Sequence, residues 1–83
     1  MRQMEIQIDS KSREPITEQL LRQIREQIAS GILRVNEKLP SVRELADKLN
    51  ISRFTTGRVY DELDREGMIR KSGEHGCFVV CQR

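Results

Sequence analysis

The side chains able to do chemistry in this chain cluster between Arg43 and Arg58, and what they offer is contact with an anion rather than bond-making. Ser52, Arg53, Thr55 and Arg58 lie close together with Phe54 and Gly57 among them, and no acid occurs from Ser52 to Tyr60. Guanidinium groups bond guanine edges bidentately or pair with phosphates, and hydroxyls at a helix start suit phosphate oxygens. Catalysis has no comparable set. The single histidine, His75, lacks a Ser/His/Asp or Cys/His constellation, so no enzyme is expected. His75, Cys77 and Cys81 do not make a metal site either. On a strand the two cysteines stand about 13 Å apart, whereas zinc holds each sulfur about 2.3 Å away. The same separation argues against a disulfide. Free thiols packed as small apolar groups are expected, and no cofactor is implied.

The elements that must position this cluster run from Leu39 to Leu63, LPSVRELADKLNISRFTTGRVYDEL. Ser41 followed by Glu44 is a capping box ahead of an apolar pattern, Val42, Leu45, Ala46 and Leu49, that falls on one helical face. Asn50 stands where the chain must turn and tolerates a left-handed backbone. Ser52 can cap a second helix. At roughly 100° per residue, Thr56, Val59, Tyr60 and Leu63 group on one side of it, toward the core. Arg53, Phe54, Gly57, Arg58 and Asp61 group on the other. That is the layout of a recognition helix, whose N-terminal half meets base edges in the major groove while the preceding helix crosses the backbone. Arg43, on the first turn of that preceding helix, is placed for a phosphate. Phe54 has no core partner and can meet a thymine methyl, and Gly57 permits close approach to DNA. The same helix pair is also an ordinary helical corner, and exposed arginines are common.

The whole chain, 83 residues with 36% apolar residues and a net charge of +2, is sized for one domain over residues 1–83. That charge permits a nucleic-acid partner without requiring one. No apolar run approaches a membrane span and the start carries no signal-peptide pattern, so a cytoplasmic location and no membrane partner are expected. An N-terminal arm, residues 1–14, contains Met4, Ile6 and Ile8 alternating with Glu5, Gln7 and Asp9, the period of a short strand. Pro15 suits the first turn of a helix over Ile16–Ser30, with an apolar stripe Ile16, Leu20, Ile24 and Ile28 widened by Leu21 and Ala29. Gly31 stops it. A connector, Ile32 to Lys38, turns at Val35-Asn36, with Ile32, Leu33 and Leu39 as anchors. After the helix pair, Gly67 is a stop. Met68–Lys71 and Cys77–Val80 then read as a hairpin whose basic flank and tip, Arg70, Lys71 and His75, can reach a minor groove or phosphates. His75 is equally well an ordinary exposed loop residue.

These residues resemble the GntR family of bacterial transcription regulators. The likeness rests on Pro15-Ile16, Gly31, LPSVRELA at Leu39–Ala46, Ser52-Arg53, Thr55, Tyr60, Leu63, Glu66-Gly67 with Ile69, and Gly76 with Phe78-Val79. The segment IQIDSKSREPI is most similar to the short-tailed YtrA-type branch, or the MocR-type branch. The resemblance implies a mainly α fold with a small antiparallel β-hairpin: a winged helix-turn-helix of three helices plus wing, with a possible short N-terminal strand. It implies sequence-specific binding to double-stranded operator DNA, often as a repressor, by a homodimer on a palindrome. The recognition helix, 52–66, would enter the major groove, and the wing tip, 72–76, would meet the minor groove or phosphates. Carried over by position, DNA contacts fall on Arg43, Ser52, Arg53, Thr55, His75 and Gly76, to which the helix faces add Phe54, Gly57 and Arg58. This sequence has Val35-Asn36 where the family often has Pro-Gly, Asn50 where it has Gly, Gly57 where it commonly has Arg, and Phe54 where a small or polar residue is usual. Chain length implies a DNA-binding domain without the family's C-terminal effector-binding or dimerisation region, so no effector site is assigned. The competing function is a winged helix for protein–protein contact without DNA binding, for which the exposed aromatic Phe54 speaks.

Overall fold

Period and punctuation in the sequence place the helices. A computed structural model describes residues 5–71 and 77–80 and contains α1 (Ile16–Ala29), β1 (Lys38–Leu39), α2 (Val42–Leu49), α3 (Arg53–Arg65), β2 (Ile69–Lys71) and β3 (Cys77–Val79). The three helices wrap a core of Leu20, Leu21, Ile24, Ile28, Leu33, Leu39, Leu45, Val59, Tyr60, Leu63, Met68, Ile69, Cys77 and Val79. The mainly α architecture with a small antiparallel sheet is thus the expected winged helix.

Helix ends follow from cap chemistry. Asn50 adopts the left-handed conformation, with φ 57° and ψ 47°. There its N–H and that of Ile51 bond back to Asp47 and Ala46 carbonyls, the Schellman arrangement. Gly67, at φ 80°, ends α3 in the same way, with Gly67 and Met68 N–H groups on Asp64 and Leu63. Asn36, at φ 73°, makes the turn in the connector.

Several boundaries depart from the sequence reading. Lys38–Leu39 is a strand, not connector: the sheet has three strands in the order β1-β3-β2, all antiparallel. A two-residue strand has no local signature and exists because Phe78 and Cys77 lie opposite it. Ile32 is exposed rather than an anchor, whereas Leu33 and Leu39 are buried. Ala29 faces solvent, outside the apolar stripe of α1. Met68 and Val80 lie outside the strands, although the Val80 N–H still bonds the Met68 carbonyl at 2.9 Å.

Among the described residues the N-terminal arm joins no sheet. Its period of two is real, and Ile6 and Ile8 pack against the core. Its partner, however, is a row of glutamine side chains on α1. Asp9, Gln7 and Glu5 N–H groups donate to Oε1 of Gln19, Gln23 and Gln27 at 2.8, 2.9 and 3.2 Å. The three Nε2 groups donate back to the carbonyls of the same residues at 2.9, 2.7 and 2.6 Å. Gln19, only 3% exposed, also reaches the Glu14 carbonyl at 2.7 Å. Each primary amide offers a donor and an acceptor side by side, so it can stand in for a residue of a neighbouring strand. Met4, Cys81 and the wing tip 72–76 lie outside the described residues.

Candidate nucleic-acid interface

The site is assembled by two capped helix starts. At α2, the Ser41 hydroxyl accepts from the Glu44 N–H at 3.1 Å while the Glu44 carboxylate accepts from the Ser41 N–H at 2.9 Å. That hydrogen bond to Ser41 holds the Glu44 carboxyl below its ordinary pKa. At α3, the Ser52 hydroxyl accepts from the Thr55 N–H at 3.0 Å and donates to the Thr55 hydroxyl at 3.3 Å. Tyr60 ties the two helices together: its ring is fully buried and its hydroxyl donates to the Pro40 carbonyl, one residue before the α2 cap, at 2.7 Å. Burial pushes that phenol's pKa well up, so it stays a donor.

This frame fixes the faces of α3. Thr56, Val59, Tyr60 and Leu63 are buried, as the periodicity predicts. Ser52, Arg53, Phe54, Arg58 and Asp61 are exposed, Thr55 is half-buried, and Arg43 is exposed on α2. Gly57 departs from its expected place on the open face. It is half-buried in the seam between α2 and α3, where an added Cβ would meet Val42 Cγ1 at 4.0 Å. His75 and Gly76 belong to the wing tip, outside the described residues, which leaves Arg43 on α2 and Ser52, Arg53, Phe54, Thr55 and Arg58 at the cap and along the first half of α3.

Electrostatically, the face is a set of cations left without counter-charges. Among the described residues no ion pair forms at Arg43, Arg53 or Arg58, whereas Arg22, Arg25, Arg65 and Lys71 all hold carboxylates. The first turn of α3 carries no acid, so the positive end of its dipole is uncompensated there. Phe54 is 73% exposed, and the Arg58 guanidinium lies over its ring, 5.8 Å from the centroid. The acids one turn further along are engaged elsewhere, Asp61 with Lys71 and Glu62 with Arg65. Lys71, assigned to the basic flank of the hairpin by sequence, is therefore neutralised, and its hydrogen bond to Asp61 raises its pKa. Sequence reasoning missed this pairing because it joins residues ten apart across a helix end and a strand. The i, i+4 spacing of Phe54 and Arg58 was the signal for the cation–π pair.

Nothing in this arrangement suits metal or bond-making chemistry. No group of three or more His, Cys, Asp or Glu side chains capable of holding a metal occurs among the described residues. Burial raises the pKa of the Cys77 thiol, which keeps it protonated. Among the described residues no helix is long and apolar enough to cross a membrane. Exposed guanidinium groups, hydroxyls at a helix start and one aromatic ring can bind a polyanion with a patterned edge.

Comparison with known proteins agrees with that chemistry. The family of bacterial regulatory proteins described as the gntR family matches residues 16–79. The HTH-type transcriptional repressor YtrA of Bacillus subtilis (strain 168) is 42% identical over 74 residues, covering 89% of this chain and 57% of the relative. The chain therefore spans little more than half the length of that repressor. YtrA from Sulfolobus acidocaldarius, a GntR-family transcription factor, superposes with a TM-score of 0.83 at 38% identity, covering 94% of this chain and 82% of the other. AraR(DBD), solved in complex with operator ORX1, shares the fold at a TM-score of 0.80 and 22% identity, covering 96% of this chain and 100% of the other.

Proposed function

The chain belongs to the GntR family of bacterial regulatory proteins, and on that premise we propose that it binds double-stranded operator DNA sequence-specifically as the reading domain of a cytoplasmic transcriptional regulator. The carrying observation is that Arg43 on α2 and Arg53 and Arg58 in the first half of α3 are exposed on the two helices of the helix-turn-helix, with no carboxylate paired to any of them among the described residues. An unpaired arginine contributes little to stability; exposed on these two helices, such arginines suit a partner that brings its own negative charge. Helix α3 enters the major groove with Arg53, Phe54 and Arg58 toward base edges. Arg43 and the Ser52 and Thr55 hydroxyls take phosphates, and the wing tip with His75 and Gly76 reaches the adjacent minor groove or phosphates. The operator is palindromic and occupied by a homodimer.

A mobility-shift titration over a range of salt tests this. Affinity falls steeply as salt rises, because each neutralised phosphate releases counterions. Arg43→Ala lowers affinity for all sequences alike and reduces the salt slope by about one. The exposure of Phe54 favours a second reading, a surface for another protein. Absence of any duplex binding at low salt, by the chain alone and by a version fused to a dimerising coiled coil, would favour that reading over DNA.

A further inference from the structure

We infer that Phe54 and Arg58 form a single reading unit that selects a thymine and a guanine in neighbouring base pairs. The inference rests on the DNA-binding reading above and names what one part of that face recognises.

The two side chains are one helical turn apart, both exposed, and already in contact through the guanidinium over the ring at 5.8 Å. A free arginine side chain on a surface samples many rotamers, and ordering it on binding costs affinity. The Phe54 ring removes part of that cost by holding the guanidinium in one place before DNA arrives. Among the described residues no ion pair forms at Arg58: Asp61 and Glu62, the acids within one turn, hold Lys71 and Arg65, and Glu18 of α1, which lines the same hollow, is not bonded to it. Each half of the unit then has one natural target in the major groove. The guanidinium fork matches guanine O6 and N7, and an aromatic ring packs on the thymine C5-methyl. A ring and a guanidinium 5.8 Å apart reach neighbouring bases one or two steps apart, each step rising about 3.4 Å, but not bases further along the site. Gly57, between them in sequence, points to Val42 and leaves the ring and the guanidinium unobstructed.

The test begins with selection of bound duplexes from a random library by the wild-type chain. In the selected duplex each dT is replaced in turn by dU, which removes only the C5-methyl. The wild type is expected to lose about fourfold in affinity at one dT, the scale of a single buried methyl. A G·C pair should lie one or two steps from that dT, and replacing it should cost about tenfold or more. Phe54→Ala abolishes the dU effect at that position and also relaxes preference at the neighbouring guanine, although Arg58 is still present. Phe54→Leu restores methyl sensitivity without the cation–π contact, so guanine preference stays relaxed. Arg58→Ala loses guanine preference and keeps the methyl effect. Thermal melts of all three variants, altered at exposed positions, match the wild type. Duplex binding in which no dT is methyl-sensitive, or in which Phe54→Ala leaves guanine preference intact, or in which the two sensitive bases lie further apart than one or two steps, overturns the inference and leaves DNA binding standing. Failure to select any duplex, by the chain and by its version fused to a dimerising coiled coil, overturns both.

Discussion

In the first half of α3, Arg53 and Arg58 stand in solvent with no ion pair among the described residues; in the second half and at its C-cap, Asp61, Glu62 and Glu66 each hold a cation. The halves also sit oppositely toward the helix itself. Cations near the positive end of a helix dipole are unfavourable, and a glycine in the interior, here Gly57, costs about 1 kcal/mol against alanine. The second half compensates by pairing across elements: Glu66 to Arg25 on α1, and Asp61 to Lys71 on β2. The unpaired cations lie on the face proposed to bind, and the paired charges lie where the fold must hold; a binding face is where departures from local rules are expected in a natural protein.

The largest effect expected is that of Leu63→Ala, in the structural half. Removing a fully buried leucine costs about 2–5 kcal/mol of stability, read by urea unfolding, and DNA affinity falls with the folded fraction. Arg53→Ala should do the reverse. It lowers affinity for a selected duplex by about 1–3 kcal/mol and leaves the melting curve unchanged. A drop in stability instead would erase the division between the halves. Gly57→Ala sharpens the boundary. Gly57 has no positive φ, its added methyl meets only Val42 at ordinary contact distance, and stability should rise by up to about 1 kcal/mol with affinity unchanged. A loss of affinity would return Gly57 to the DNA face. The smallest effect is that of Glu66→Gln, which removes a solvent-screened pair worth less than about 1 kcal/mol. The Arg25 hydrogen bond holds the Glu66 carboxyl below its ordinary pKa of 4.5. Its contribution is therefore present above that value and is lost as pH falls through the lowered one. Urea melts of wild type and variant should differ at pH 7 and converge as pH falls through the lowered pKa.

How much of this the sequence discloses depends on the distance over which each feature is decided. Ser41 with Glu44, Ser52, Asn50, Asn36 and Gly67 satisfy or bend backbone within a few residues of themselves, so their roles follow from residue type. The buried face of α3 follows from its period. Strand β1 does not, since Lys38 and Leu39 become a strand through Phe78 and Cys77 far along the chain. Nor does the pairing of charges, which separates Arg53 from Lys71 although both are simply basic residues in sequence. The arm was half-legible. Alternation gave the inward side of Ile6 and Ile8, but its partner lay in the spacing of Gln19, Gln23 and Gln27, a row of polar residues that a search for apolar stripes passes over.

That row works as a vernier. Four residues of helix advance about 6.0 Å and two residues of strand about 6.6 Å, so two scales of different pitch coincide closely over three marks. Pro15 stands at the N-cap position one step before Gln19 and Gly31 lies past the end of α1 one step after Gln27, so α1 carries no fourth mark. The arm is consequently addressed in units of two. A one-residue slip presents the wrong face of every amide pair and turns Ile6 and Ile8 outward, whereas a two-residue slip keeps both isoleucine-type positions inward. A register shift of one residue is opposed by this device and a shift of two is not, so the row of amides sets the parity of the arm on α1.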